Sequence, residues 1–348
     1  MKQVVLVRPG EFQLQEIPLP AAPAQQALVR VRRIGVCGTD LHAFEGRQPF
    51  FSFPRILGHE LAVEIVECPN NPGALSPGDR CAVEPYLTCG HCHACKLGRT
   101  NCCEHLEVFG VHRDGGMREF MYVPVDRLYK SNELTFDQLA LVEPLGIGAH
   151  AVIRSGLAPG ETALVVGGGP IGLAVAQFAR ATGAQVHMLE INPSRRALIS
   201  RLDFPVRANP DAPLADVVFD ATGNPQSMAR SVGWVAHAGR LVFVGLVEGT
   251  VAIEDPLFHR REITLFASRN SAGEFPRIIA LIERGQIDTS SWITHRMTLE
   301  EVPELFPQVF RDPTCFKAMV EVNGPPVLDA HRDGPRSTRD TSREPGFQ

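Results

Sequence analysis

The sequence predicts an α/β protein built of two units, an irregular β-rich unit followed by a doubly wound parallel sheet. Three observations predict it. Over the first third, short apolar runs are separated by prolines and glycines such as Pro18, Pro20, Pro23 and Pro77-Gly78, the punctuation of an all-β unit. From Glu161 onward strand-like and helix-like segments alternate, which calls for a parallel sheet with helices on both faces. The 348 residues are also too many for one ordinary core.

Taken in order, Val4 to Val7, Leu28 to Val36, Leu61 to Glu67 and Asp79 to Glu84 read as strands. Near Phe136 the rhythm becomes helical through Leu139, Leu141, Val142, Leu145, Ile147 and Ala151, with Pro144 expected to kink or divide the helix. Ala163 to Val166 and Val186 to Leu189 are buried strands, each followed by a helix, over Pro170 to Thr182 and Pro193 to Leu202. Val217 to Phe219, Leu241 to Val244 and Ile263 to Phe266 supply further strands. Two amphipathic helices, around Phe275 to Arg284 and Leu299 to Phe310, precede a last strand over Phe316 to Val322. Beyond Asn323 the chain is polar, with Pro325-Pro326, and is expected to be disordered.

Composition narrows the function. The chain is 44% hydrophobic and 21% charged, ordinary for a globular protein. A net charge of -5 gives no electrostatic case for nucleic acid or an anionic membrane. No apolar run approaches the roughly 20 residues that span a bilayer. The first residues turn polar too quickly for a signal peptide, so a cytoplasmic location is expected.

Val165-Val166-Gly167-Gly168-Gly169-Pro170-Ile171-Gly172 contains G-x-G-x-x-G, follows a predicted strand and opens a predicted helix. In that context it reads as a dinucleotide site. Gly167 permits the tight turn, Gly169 admits the pyrophosphate, and Gly172 allows close helix–strand packing. The helix N-terminus, with Pro170 and Ile171, turns free N–H groups toward the phosphates. Glu190, at the end of the next strand, is placed to accept hydrogen bonds from the adenosine ribose and to repel a 2′-phosphate, which favours NAD over NADP. Arg195 and Arg196 are the counter-evidence.

Nine cysteines are present, four of them clustered as Cys89-x-x-Cys92-x-x-Cys95 and then Cys103. Four thiolates suit a closed tetrahedral zinc, with an iron–sulfur cluster as rival. Cys102 leaves a one-residue ambiguity, and His91 and His93 are expected to face solvent. A different pattern brackets an earlier stretch: Cys37-Gly38-Thr39-Asp40-Leu41-His42 opens it and Gly58-His59-Glu60 closes it. A thiol and an imidazole with proton-handling neighbours read as a metal site with a proton exit.

On these motifs, together with Glu143-Pro144-Leu145, the chain resembles the zinc-dependent medium-chain alcohol dehydrogenases. The resemblance runs from residue 1 to about 322. It implies a GroES-like catalytic domain over 1–148 with a structural zinc lobe over 86–105, and a Rossmann NAD-binding domain over 149–267. It further implies a return to the catalytic domain over 268–324, while the tail over 325–348 has no counterpart in the family. It also implies that the cysteine lobe holds zinc, making two zinc ions per subunit, and that the chain forms a homodimer or homotetramer. Cys37 and His59 would bind the catalytic zinc with Glu60 or Glu143, the other carboxylate hydrogen-bonding the metal's water. Thr39 would take the substrate proton and His42 would pass it to solvent.

Glu143 and stretches such as Gln48 to Pro54 and Ala267-Ser268-Arg269-Asn270 point within the family to the polyol and sugar-acid (galactonate-type) branch. Arg269 would then meet a substrate carboxylate, and Phe50 would line the pocket. Two other readings accompany this one: an amino-alcohol enzyme of the threonine 3-dehydrogenase kind, and a non-catalytic zinc- and nucleotide-binding protein. The segment from Arg207 to Asp216 departs from the family in being too short for the helix that usually precedes the strand at Val217.

Overall fold

The computed structural model describes residues 1–23, 25–48, 51–69, 75–208 and 214–322. Phe50, residues 209–213 of the short segment before Val217 and the polar tail lie outside them. The first unit contains β1 (Lys2–Arg8), β2 (Glu11–Glu16), β3 (Gln26–Val36), α1 (Gly38–Phe44), β4 (Glu60–Glu67), β5 (Arg80–Val83) and β6 (Tyr86–Leu87). It continues through α2 (His93–Lys96), β7 (Glu107–Val108), β8 (Phe120–Pro124), β9 (Leu128–Lys130), α3 (Phe136–Ala140) and α4 (Val142–Ser155). The second runs β10 (Thr162–Val166), α5 (Pro170–Ala181), β11 (Gln185–Leu189), α6 (Pro193–Arg201), β12 (Val206–Arg207), β13 (Ala215–Asp220), α7 (Pro225–Ser231), β14 (Val235–Phe243), α8 (Asp255–Arg260) and β15 (Thr264–Ala267). The chain closes with α9 (Phe275–Glu283), β16 (Ile293–Thr298), α10 (Val302–Val309) and β17 (Lys317–Glu321).

Strands β10 to β15 form one parallel sheet in the order β12-β11-β10-β13-β14-β15. The order reverses between β10 and β13, and such a switch point is where open α/β sheets bind ligands. The other large sheet has the order β16-β17-β3-β4-β5-β9, with β8 also on β3. The chain therefore leaves the first unit, builds the nucleotide-type sheet, and returns to lay β17 antiparallel on β3.

That return brings three strand ends together. Ala318 pairs with Val36, and Gly35 pairs with Glu60. Cys37, Glu60 and Lys317 thus emerge side by side at one edge of β3, β4 and β17. Gly35 is required there, because a Cβ would lie 1.9 Å from the Glu60 Oε2 atom. Apolar side chains of α4, including Val142, Leu145 and Ala149, join a buried cluster that continues into Leu173, Phe219 and Phe275. The two units are thus packed through one continuous apolar interior.

The helical rhythm around Pro144 is divided, but at Leu141 rather than at the proline. Leu141 caps α3 and starts α4. Pro144 falls in the first turn of α4, where a missing N–H leaves no helix bond unmade. Sequence reading passed over α7, although Asn224 caps it and Pro225 opens it.

Candidate catalytic metal centre and nucleotide site

Cys37 is the N-cap of α1, and its backbone N–H donates to Asp40 Oδ2 at 2.9 Å. This capping arrangement turns the Cys37 thiol and the Asp40 carboxylate inward. His59 and Glu60 lead into β4. The donor atoms of Cys37, His59 and Glu60 all lie within 4.8 Å of one another. Both His59 and Glu60 are buried. One thiolate, one imidazole and one carboxylate form a three-ligand set of the kind that holds a catalytic zinc with one position open.

The surroundings support a cation. Burial disfavours charge on His59, yet Asp40, Cys37 and Glu143 together raise its pKa well above the ordinary value. The pocket therefore carries more negative than positive potential. Asp40 Oδ1 stands 3.7 Å from His59 Nδ1, beyond hydrogen-bond reach but close enough for its charge to act on the imidazole. Lys317 is buried and ion-paired with Glu60. Burial lowers its pKa, but Glu60 and Cys37 outweigh that and hold it above the ordinary value.

Glu143, in the first turn of α4, stands beside this trio rather than within it. Its carboxylate accepts a hydrogen bond from the buried Tyr86 hydroxyl. Burial and the charge of Glu143 push the Tyr86 pKa well up, so the phenol remains a donor. Thr39 and His42 occupy one face of α1 three residues apart. Thr39 is half-buried and His42 exposed, so the pair runs from the pocket outward.

Asp40, Tyr86, Lys317 and Gly35 are the residues that sequence reading left without a role. A Cys-x-x-Asp capping pattern signals the first. A lone lysine at the head of the apolar run Ala318-Met319-Val320 signals the third. Nothing local marks Tyr86 or Gly35.

The four-cysteine lobe is a second donor cluster. Cys89, Cys92, Cys95 and Cys103 converge within 4.8 Å. Cys103 is buried and Cys102 exposed, which resolves the ambiguity between them. The Cys103 sulfur lies 3.5 Å from that of Cys89 and 3.9 Å from that of Cys92. A tetrahedral zinc with Zn–S bonds of about 2.3 Å sets its sulfurs about 3.8 Å apart, so the lobe fits that ion. His91 and His93 are exposed.

The glycine turn follows β10. Gly167 has φ +95°, a conformation side chains disfavour. A Cβ on Gly172 would lie 1.8 Å from the Gly167 carbonyl oxygen, so its smallness serves the turn itself more than the helix–strand contact. Gly168 also matters: its N–H donates to Glu190 Oε2 at 2.7 Å, and a Cβ there would meet Ile199 at 2.4 Å. A cavity of about 450 Å³ opens at this turn, lined by Gly167, Gly169, Glu190, Ile191, Arg195 and Thr222 among others. Pro170 and Ile171 open α5. Arg195 approaches Glu190 at 3.9 Å, whereas Arg196 is bonded to the carbonyls of Glu190 and Ile191.

Arg269 is exposed in the loop after β15. Burial lowers the pKa of His112, and the Arg269 and Arg55 guanidiniums lower it further against Glu107. Arg55, Arg113 and Arg296 are committed to ion pairs, with Asp114, with Glu107, and with Asp137 and Glu321 respectively.

Comparison with known proteins agrees with this architecture. Residues 23–133 match the alcohol dehydrogenase GroES-like domain, and residues 170–284 match the zinc-binding dehydrogenase family. The chain is 42% identical over 322 residues to the L-galactonate-5-dehydrogenase of Escherichia coli K12, covering 88% of this chain and 94% of that protein. The crystal structure of the alcohol dehydrogenase RspB from E. coli CFT073, complexed with NADH, has a TM-score of 0.87 at 26% identity, covering 92% of this chain and 99% of that one. A zinc-binding dehydrogenase from Sinorhizobium meliloti 1021 bound to NADP has a TM-score of 0.84 at 29% identity, covering 92% and 98%. Among the described residues no helix is long and apolar enough to cross a membrane. With identity sustained along most of its length and both domain models met in one polypeptide, the chain belongs to the zinc-binding alcohol dehydrogenases.

Proposed function

We propose that this protein oxidises a secondary hydroxyl of a sugar acid or polyol, reversibly, with NAD as hydride acceptor and zinc as the catalytic metal. The observation that carries the reading is the convergence of the Cys37, His59 and Glu60 donor atoms within 4.8 Å of one another. These three side chains would hold the metal, and the four thiolates of the lobe a second, structural one. A bound zinc supplies Lewis acidity, which lowers the pKa of a substrate hydroxyl.

The chain's own groups do the rest. Asp40 sets its charge beside the imidazole of His59, and Lys317 offsets the charge of Glu60. Tyr86 holds the Glu143 carboxylate at the edge of the pocket, where it can accept a hydrogen bond from water or substrate. Thr39 accepts the hydroxyl proton as it gives up its own, and His42, exposed on the same face of α1, releases a proton to solvent. Gly167, Gly169 and the N-terminus of α5, with Pro170, Ile171 and Gly172, seat the pyrophosphate. Glu190 meets the ribose.

Glu190 also supports NAD over NADP. Its carboxylate would face a 2′-phosphate, while Arg196 turns its guanidinium to the carbonyls of Glu190 and Ile191, leaving Arg195 and Arg230 among the cavity's described lining to offset the repulsion. The likeness to a galactonate dehydrogenase supports a sugar acid, with Arg269 meeting its carboxylate. Turnover of galactonate, gulonate, sorbitol, galactitol and threonine with each cofactor tests the reading. Turnover of threonine alone would sink it. Strand β15 forms an edge of the parallel sheet with Leu265 exposed, which supports self-association as a homodimer or homotetramer.

A further inference from the structure

The four-thiolate lobe is bonded to α4 and to the loop after β15 through a buried asparagine. Asn101 is 5% exposed and sits between the third and fourth thiolates of the lobe. Its Nδ2 donates to the Arg269 carbonyl at 2.8 Å and lies 3.1 Å from His150 Nε2. The other imidazole nitrogen, Nδ1, is 2.7 Å from Glu274 Oε1. Glu274 Oε2 in turn accepts the backbone N–H of Ala272.

The proton arrangement follows from the donors available. A carboxylate only accepts, so His150 Nδ1 carries the hydrogen toward Glu274. His150 Nε2 then accepts one amide hydrogen of Asn101, and the second goes to the Arg269 carbonyl. The loop between β15 and α9 is thereby gripped at Arg269 and at Ala272. Between them Asn270 adopts φ +52° and Ser271 is 1% exposed. The Ser271 Oγ packs so close to Gly146 that a Cβ there would lie 3.0 Å away. Glu143, Gly146 and His150 fall on one face of α4 by their helical spacing. One helix edge thus carries Glu143 to the metal pocket and His150 to this loop.

We propose that Asn101, with the His150–Glu274 pair, is a positioning element for Arg269, fixing the backbone from which that arginine reaches a substrate carboxylate. The lobe then acts on substrate affinity as well as on folding. This rests on the reading of Arg269 as the carboxylate partner.

The test uses the full-length, zinc-loaded enzyme. Galactonate affinity is measured by calorimetry on the NADH complex and by steady-state KM and kcat, alongside NADH affinity and zinc content. Asn101→Asp removes both donated hydrogens with little change of shape. It is expected to weaken galactonate binding about five- to tenfold, the scale of one lost hydrogen bond. The change should appear in KM rather than kcat, with NADH affinity and zinc content unchanged, and should add nothing in the Arg269→Ala background. Two results overturn the positioning role while leaving Arg269 as substrate partner: no weakening by Asn101→Asp where Arg269→Ala weakens, or equal weakening with and without Arg269. If Arg269→Ala itself leaves galactonate affinity unchanged, the substrate reading of Arg269 falls and this inference with it. Should Asn101→Asp fail to fold, Glu274→Gln loosens the same chain from its far end and carries the same comparison.

Discussion

The molecule contains two thiolate-bearing clusters of opposite construction. The lobe draws its four sulfurs from fifteen consecutive positions, Cys89 to Cys103, and offers no donor other than sulfur. The Cys37–His59–Glu60 cluster mixes sulfur, nitrogen and oxygen and is assembled by strand register, with Lys317 arriving from the far end of the chain. A closed set of identical ligands saturates a metal, whereas a mixed set of three leaves room for a substrate. The difference predicts that the lobe fails by unfolding and the other cluster fails by losing turnover.

Breaking each cluster at one thiol gives the largest effects. Cys37→Ser is expected to lower kcat by about a thousandfold or more, the scale on which loss of a central catalytic group is felt, with thermal stability little changed and one zinc lost per chain. Cys92→Ala is expected to abolish soluble folded protein or depress its melting temperature sharply, because metal binding there is folding free energy. Circular dichroism and elemental analysis on both variants decide the matter. A Cys37→Ser enzyme that still turned over, or a Cys92→Ala enzyme of ordinary stability, would erase the distinction.

The support behind the mixed cluster should yield intermediate effects. Asp40→Asn keeps the shape but removes the charge beside His59, and a 10- to 100-fold loss of zinc affinity is expected by competition with a chelator, the scale of losing a group that supports a metal ligand. The lobe, with its backbone N–H bonds to sulfur from Cys89, Cys92 and His105, should hold its metal unchanged in that variant. Tyr86→Phe releases the Glu143 carboxylate while keeping the ring. A roughly tenfold fall in kcat/KM with zinc content intact is expected, since one charged hydrogen bond is lost. In a Glu143→Gln background the same change should do less. Full additivity would show that Tyr86 acts elsewhere.

What was legible in the sequence follows the same division. The lobe was readable because its spacing is local. The glycine turn and Glu190 were readable because a βαβ unit brings the ends of neighbouring strands together over about thirty residues. Cys37 and His59 were recognisable as donors, but the choice of Glu60 for the trio, with Glu143 beside it, depended on pairings that no local pattern reveals. Gly35 is the sharpest case. Its need to be glycine is set by a carboxylate twenty-five positions away, while in sequence it is one residue in a strand. Asn101 is similar: in the chain it stands between Thr100 and the Cys102-Cys103 pair, and its partners, His150 and the Arg269 carbonyl, come from other elements.

The smallest effect concerns an exposed contact between the two units. Asn192, which caps α6, donates to the Pro313 carbonyl at 3.2 Å. That segment is shaped by Asp312, whose carboxylate accepts from the Thr314 side chain and backbone and faces His295 at 3.1 Å. The bonds from Thr314 first, and then His295, hold the Asp312 pKa down to about 2, below a usual value of 3.8. A depressed carboxylate stabilises the fold above its unfolded pKa, and the contribution is lost as pH falls through the folded value. The stability difference between the parent chain and Asp312→Asn should therefore be present near neutral pH and shrink between about 3.8 and 2. Urea unfolding at neutral pH and at about pH 3 measures it, and solvent screening keeps it small. Unlike the buried Asn101 bond, this strap should leave galactonate affinity alone. A change in that affinity on Asp312→Asn would show that the loop organisation around Arg269 extends to both faces of the junction.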